Sequence, residues 1–159
     1  AMGLNHVPYT LSMWKGELCC MCELFTDINH SFVPMWRFCN TKSIKDVASY
    51  LQGIGQEYFD AFCDMMIFDA LIYNTDRHLN NFGLMVDNMT NKPYSVAPIF
   101  DNGLSLFNFA MADDFNNLEA YAKSRLSAFD VSFDDIITYV ETIAKYLRAI
   151  DEEFEKYLN

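Results

Sequence analysis

The chain has 159 residues, 52% of them hydrophobic and 16% aromatic. That length suits one domain able to bury roughly two thirds of its unfolded surface, and so apolar a composition excludes a disordered chain. The formal net charge is −11 with a pI near 4.5, and no basic stripe is visible, so direct binding to nucleic acid or to an anionic membrane is not expected.

Residues 9–13 alternate, with Tyr9, Leu11 and Met13 on one side and Thr10 and Ser12 on the other. This period of two predicts a strand. Residues 14–17 supply a turn and residues 18–24 a second strand, so the pair reads as a hairpin. A lone hairpin is marginal in water and must lean on other structure. The second strand carries Cys19, Cys20 and Cys22; Cys39 and Cys63 bring the count to five. An odd count without a secretory segment points to a reducing cytosol and a cytoplasmic protein rather than a disulfide framework. The Cys19–Cys22 cluster has no CxxC pair and no nearby His partner, so a strand with buried thiols is expected there rather than a metal site.

Residues 26–34 follow neither period and end in Pro34, which predicts a linker. Ser43 is placed to cap a helix reaching about Gly53, with Ile44, Val47, Ala48 and Leu51 on one face. Gly53 and Gly55 then punctuate the chain. From about Gln56 to Ile72, Tyr58, Phe59, Phe62, Met66, Ala70 and Tyr73 recur at helical spacing. The intervening positions are also largely apolar, which predicts a central helix buried on most sides. The most apolar run, 65–73, is short and broken by Asp69, which excludes a membrane span.

A polar run follows, Asn74-Thr75-Asp76-Arg77-His78-Leu79-Asn80-Asn81. Two strand-like pieces come next, 82–86 and 94–97, joined by a turn that contains Pro93. Pro98-Ile99-Phe100-Asp101-Asn102-Gly103 follows the second. The C-terminal third predicts helices at roughly 113–124, 133–147 and 149–158, with acids in several first turns.

The centre of the sequence thus sets Asp76 and Asn81 at the exit of a buried helix and Asp101 beyond a hairpin. Carboxylates and an amide oxygen are hard donors suited to magnesium, and a further Asp at such a loop can position a hydroxyl nucleophile. Taken singly, each residue has an ordinary reading: Asp76 caps a turn, Asn81 occupies a left-handed position, Asp101-Asn102-Gly103 makes a turn, and His78 is a structural histidine. The conjunction is the signal.

The order D-R-H-x-x-N, a hairpin, then P-x-F-D-x-G resembles the catalytic and metal-binding loops of the kinase superfamily. Asp before Arg-His is similar to the phosphoinositide-kinase branch and, more closely, to the HipA-like bacterial serine/threonine kinases. The resemblance implies a mainly α fold with a small β part: a kinase-like large lobe (27–159) preceded by an N-terminal β-hairpin and hinge (1–26). It implies Asp76 as the catalytic aspartate, Asn81 and Asp101 as metal ligands, and His78 near the nucleotide phosphates. Glu23, Leu24 and Phe25 would form the hinge that meets the adenine edge. The cofactors implied are ATP and Mg2+, and the partners a protein substrate or an antitoxin-like protein of a toxin–antitoxin pair. A lipid kinase shares the loop but is disfavoured by the scarcity of basic residues.

A complete kinase also needs a Gly-rich loop and a strand lysine. Gly53-Ile54-Gly55 lies between helices, and Lys15 sits in a turn. The hairpin resembles the last two strands of a small lobe, so the chain is expected to be incompetent alone and to use a small lobe on further, possible separate, polypeptide. The alternative is a non-catalytic nucleotide- or partner-binding remnant of the same fold.

Overall fold

A computed structural model of the protein describes residues 3–138. β1 (Tyr9–Trp14) and β2 (Glu17–Cys22) pair antiparallel from Tyr9↔Cys22 to Trp14↔Glu17. Lys15 and Gly16 make the turn, both at positive φ, as a tight two-residue hairpin connection requires. The two strands form a sheet of their own.

The segment read as a linker contains a strand, β3 (His30–Pro34). It pairs antiparallel with β4 (Gly83–Asp87), which pairs in turn with β5 (Lys92–Val96), giving the sheet order β3-β4-β5. The partner of β3 lies some fifty residues downstream, so local pattern could not reveal it. Pro93, expected in the turn, lies inside β5 opposite Val86 at a register shift. β5 is an edge strand, where a residue without an N–H is tolerated. The described residues therefore form a mixed α and β arrangement, with more sheet than a helical lobe carrying one hairpin.

The strands cross closely at Gly83. A Cβ there would sit 2.2 Å from the Val33 carbonyl oxygen and 2.8 Å from Pro34 Cα, so only glycine fits opposite Pro34.

α1 (Ile44–Ile54) begins at Ser43, whose hydroxyl accepts from the Asp46 N–H at 3.2 Å. Its buried face is Ile44, Val47, Ala48 and Leu51. α2 (Gln56–Ile72) buries Tyr58, Phe59, Phe62, Met65, Met66, Asp69 and Ala70, while Ile67 and Leu71 are exposed. One side of α2 therefore faces outward, where burial on most sides was expected. Both helices share one core with Met35, Leu84 and Phe129. Each fully buried side chain of this kind contributes about 1.5–3 kcal/mol. Phe82 links the site loop to that core, its ring 5.7 Å from Phe62 and 6.3 Å from Phe129.

The expected helix at 113–124 is a 3-10 turn (Asp114–Asn117) followed by α3 (Leu118–Lys123), with no buried residue in either. Residues 133–138 are helical; the rest of that expected helix and the one at 149–158 lie outside the described residues. Among the described residues no helix is long and apolar enough to cross a membrane.

The cysteine expectation for the hairpin fails. Cys20 and Cys22 are exposed and Cys19 is half-buried. Tyr9, Leu11, Met13 and Leu18 share the face of Cys20 and Cys22, and each is 44% exposed or more. The physical reason is that the hairpin does not join the three-stranded sheet. At its base, residues 5–7 run beside Ile99 through a Val7 N–H bond to the Ile99 carbonyl and an Ile99 N–H bond to the Asn5 carbonyl, both 2.9 Å.

Candidate active site

α2 ends at Tyr73, which adopts the left-handed conformation that stops the helix. The chain then folds into a compact loop. The His78 N–H donates to the Asp76 carbonyl at 2.8 Å, and the Asn81 N–H donates to the His78 carbonyl at 2.8 Å. The Asn81 Nδ2 closes the turn on the Asp76 carbonyl at 2.8 Å. A carbonyl only accepts, so the amide must present its nitrogen inward.

The loop is built around Arg77, which is 1% exposed. Its Nε and Nη2 donate to Asp69 on the last turns of α2, at 2.8 and 2.9 Å. Nη1 donates to the carbonyls of Asn81 and Phe100, and Nη2 also to Oδ1 of Asn102. All five guanidinium N–H groups are thereby used. Asn74, also buried, donates from Nδ2 to Asp69 and accepts from the Asp76 N–H. One guanidinium therefore ties together the segments that carry Asp76, Asn81 and Asp101.

The three candidate side chains are left out of this frame. Among the described residues, the carboxylates of Asp76 and Asp101 accept no hydrogen bond and form no ion pair. Asn81 engages only its nitrogen, so Oδ1 is available. Asp101 is exposed and sits at φ 55, and its N–H donates to the Tyr9 hydroxyl at 3.2 Å. The hairpin thus touches the loop through its first strand residue.

No group of three or more His, Cys, Asp or Glu able to hold a metal occurs among the described residues. Asn81 and Asp101 offer two hard oxygen donors, the chemistry magnesium prefers when phosphate and water oxygens complete its shell. The donor set fits that ion.

Of the expected hinge, Glu23 is exposed and Leu24 is 88% exposed. The Phe25 ring lies 5.4 Å from Phe100 and 5.9 Å from Phe32, and Phe32 lies 5.3 Å from Phe100. This aromatic trio puts residue 25 one ring away from the residue preceding Asp101. His78 is exposed; its ring Nδ1 accepts from the Asn80 N–H at 3.2 Å, and it lines a groove with Trp36 and Lys42.

Sequence reasoning missed the parts played by Asp69, Asn74 and Asn102. A signal existed for Asp69: it falls on the buried face of α2, and a buried carboxylate demands a cation within reach.

With the geometry described, comparison with known proteins is informative. Residues 19–156 match the HipA-like C-terminal domain family. The serine/threonine-protein kinase CtkA of Helicobacter pylori strain J99 is 31% identical over 128 residues, which cover 72% of this chain and 38% of CtkA. The crystal structure of a Helicobacter pylori proinflammatory kinase CtkA superposes with a TM-score of 0.62 at 24% identity, covering 74% of this chain and 46% of that one. The chain therefore spans less than half the length of these relatives.

Proposed function

The chain belongs to the HipA-like C-terminal domain family, and on that footing we propose that it is the catalytic half of a serine/threonine protein kinase. The reaction would move the γ-phosphoryl group of ATP to a protein hydroxyl. The observation that carries this reading is the contrast at the loop: a fully bonded Arg77 frame beside free acceptor groups on Asp76, Asn81 and Asp101.

Asp76 is assigned to orient the acceptor hydroxyl and take up its proton. Asn81 Oδ1 and the Asp101 carboxylate are assigned to hold magnesium. Bound magnesium would neutralise charge on the phosphate oxygens and fix their direction. Residues 23–25 are assigned to the adenine edge, with Phe25 and Phe100 forming an apolar wall. Positioning supplies much of the rate in this reaction class, and a rigid frame under the ligands serves it.

These groups act on one side of a triphosphate. The opposite side needs N–H donors and a lysine. Lys15 packs against Trp14 at the hairpin tip, its Nζ 5.8 Å from the ring, while Tyr9 at the other end of β1 meets Asp101. We therefore assign the opposite side to a small lobe on further polypeptide, in the same or a separate chain, packed on the apolar hairpin face. That same exposed face favours the second reading, a partner-binding remnant without turnover.

Phosphate transfer from labelled ATP separates the two readings when assayed for this chain, for the chain with its small lobe, and for the latter carrying Asp76→Asn. The proposal expects negligible transfer from the first, transfer from the second, and its loss in the third. Equal rates for the first two would refute the division of labour. An Asp76→Asn protein of unchanged rate would refute the assignment of the base.

A further inference from the structure

The loop that carries Asp76 also forms the floor of a groove. His78, Leu79 and Asn80 line its floor, Trp36 and Lys42 one wall, and Phe129 the other, enclosing about 490 Å³. That volume lies in the range of binding clefts. The floor and wall are fastened together by the Trp36 N–H bond to the Leu79 carbonyl, 3.2 Å. The groove opens two residues from Asp76, to whose carbonyl the His78 N–H is bonded.

Its charge runs against that of the molecule. The chain has 22 Asp and Glu against 11 Lys and Arg, yet Lys42 lines this groove and Arg37, next to the lining Trp36, stands beside it, both exposed. The Arg37 guanidinium lies over the Trp36 ring, 3.9 Å from its centroid, which holds the cation at the rim. Lys42 pairs with Asp130 at 2.9 Å, with the two side chains 79% and 66% exposed. So exposed a pair is weak and readily exchanged for a carboxylate on a ligand. The floor contributes donors as well. Because His78 Nδ1 accepts from the Asn80 N–H, the neutral ring carries its proton on Nε2, as a donor.

We infer that this groove seats the acceptor segment of the protein substrate, an extended peptide whose Ser or Thr is flanked by acidic residues. Trp36 gives the peptide an apolar face, Lys42 and Arg37 meet its carboxylates, and the adjoining loop brings its hydroxyl toward Asp76. As an acceptor site the groove rests on the kinase reading, but peptide binding can be measured without nucleotide.

The test uses the full chain carrying Trp14→Phe, so that Trp36 is the sole tryptophan and its emission reports on the groove. Three seven-residue peptides are titrated, each with a central Ser flanked by Glu, Gln or Lys. The affinity order expected is Glu, then Gln, then Lys, with a saturable change in Trp36 emission. Lys42→Glu should weaken the Glu peptide about fivefold, the scale of one exposed ion pair, and reduce its margin over the Lys peptide. Lys42→Gln, which places no new carboxylate beside Asp130, should weaken it in the same direction. Equal binding of all three peptides, no emission change up to millimolar peptide, or an order untouched by both substitutions would overturn the inference. Mg-ATP binding is measured on the chain joined to its small lobe, the form in which the kinase reading requires it. Acidic-peptide binding that depends on Lys42 but comes without Mg-ATP binding would uphold the groove as a docking site and remove the kinase reading. Mg-ATP binding without peptide discrimination would do the reverse.

Discussion

Arg77 meets Asp69 edge to edge, Nε to Oδ2 at 2.8 Å and Nη2 to Oδ1 at 2.9 Å, with both side chains 2% exposed or less. A bidentate pair of this kind fixes direction as well as distance. Burial removes the solvation of both ions, so the pair is held by its completeness: every guanidinium N–H has an acceptor, and Asn74 adds a bond to the carboxylate. Removing either partner leaves a charge without compensation. Asp69→Asn should cost about 3–5 kcal/mol of stability. In urea unfolding the midpoint should fall with an unchanged slope.

Arg77→Lys tests the geometry rather than the charge. A lysine has three donors on a flexible stem and cannot meet acceptors on Asp69, Asn81, Phe100 and Asn102 together. The expected loss is about 2–4 kcal/mol from buried acceptors left unpaired, with Mg-ATP binding weakened at least as much because the segments bearing Asn81 and Asp101 separate. A stability loss with nucleotide binding intact would show that the frame does not organise the site.

Much of this arrangement was legible in the residues, and the remainder was hidden for identifiable reasons. The apolar spacing from Tyr58 to Tyr73 marked α2, Ser43 marked the start of α1, and period-two alternation marked β1. These signals are local. β3 was missed because Asp27, Asn29, His30 and Ser31 carry no strand pattern, and the strand exists through its pairing with β4. The order of Asp76, Asn81 and Asp101 was readable as a motif. That Arg77 holds their segments was not, because its acceptors come from three separate stretches of chain.

Gly83 and Gly53 form a contrasting pair. A Cβ on Gly83 would collide with the backbone of Val33 and Pro34, whereas one on Gly53 meets nothing within 4 Å. Gly83→Ala should destabilise by about 1–3 kcal/mol or more through overpacking between β3 and β4. Gly53→Ala, on the exposed side of α1, should stabilise by about 0.5–1 kcal/mol. Thermal unfolding of both variants should move in opposite directions.

The cysteines should divide by burial. Desolvation, reinforced by Asp60 and Asp64, pushes the Cys63 thiol up to about 12, so little thiolate forms near neutrality. Cys20 and Cys22 are exposed on the hairpin. Timed alkylation at pH 8 followed by mass spectrometry should label Cys20 and Cys22 first and Cys63 only on unfolding. Early labelling of Cys63 would contradict its placement.

Two surface carboxylates contribute to the acid response. The His30 side chain and the Asn29 and His30 N–H groups hold the Asp27 carboxyl below 3.8, and bonds from Thr90 and Met89 do the same for Asp87. A depressed folded-state pKa contributes stability that is fully present above the unfolded value and lost as pH falls through the folded one. Stability should therefore drop below about pH 4, and Asp27→Asn with Asp87→Asn should flatten that part of the profile in acid titrations followed by circular dichroism.

The central claim is that Asn81 and Asp101 hold one divalent ion against a nucleotide. Manganese can replace magnesium as a paramagnetic probe, and its ATP complex can be titrated while amide signals are followed by nuclear magnetic resonance. The account predicts selective broadening at residues 76–81 and 100–103 in the parent chain, reduced by Asn81→Ala and abolished by Asp101→Asn, with the remaining spectrum unchanged. Broadening centred elsewhere, or broadening at the loop that survives both substitutions, would contradict it.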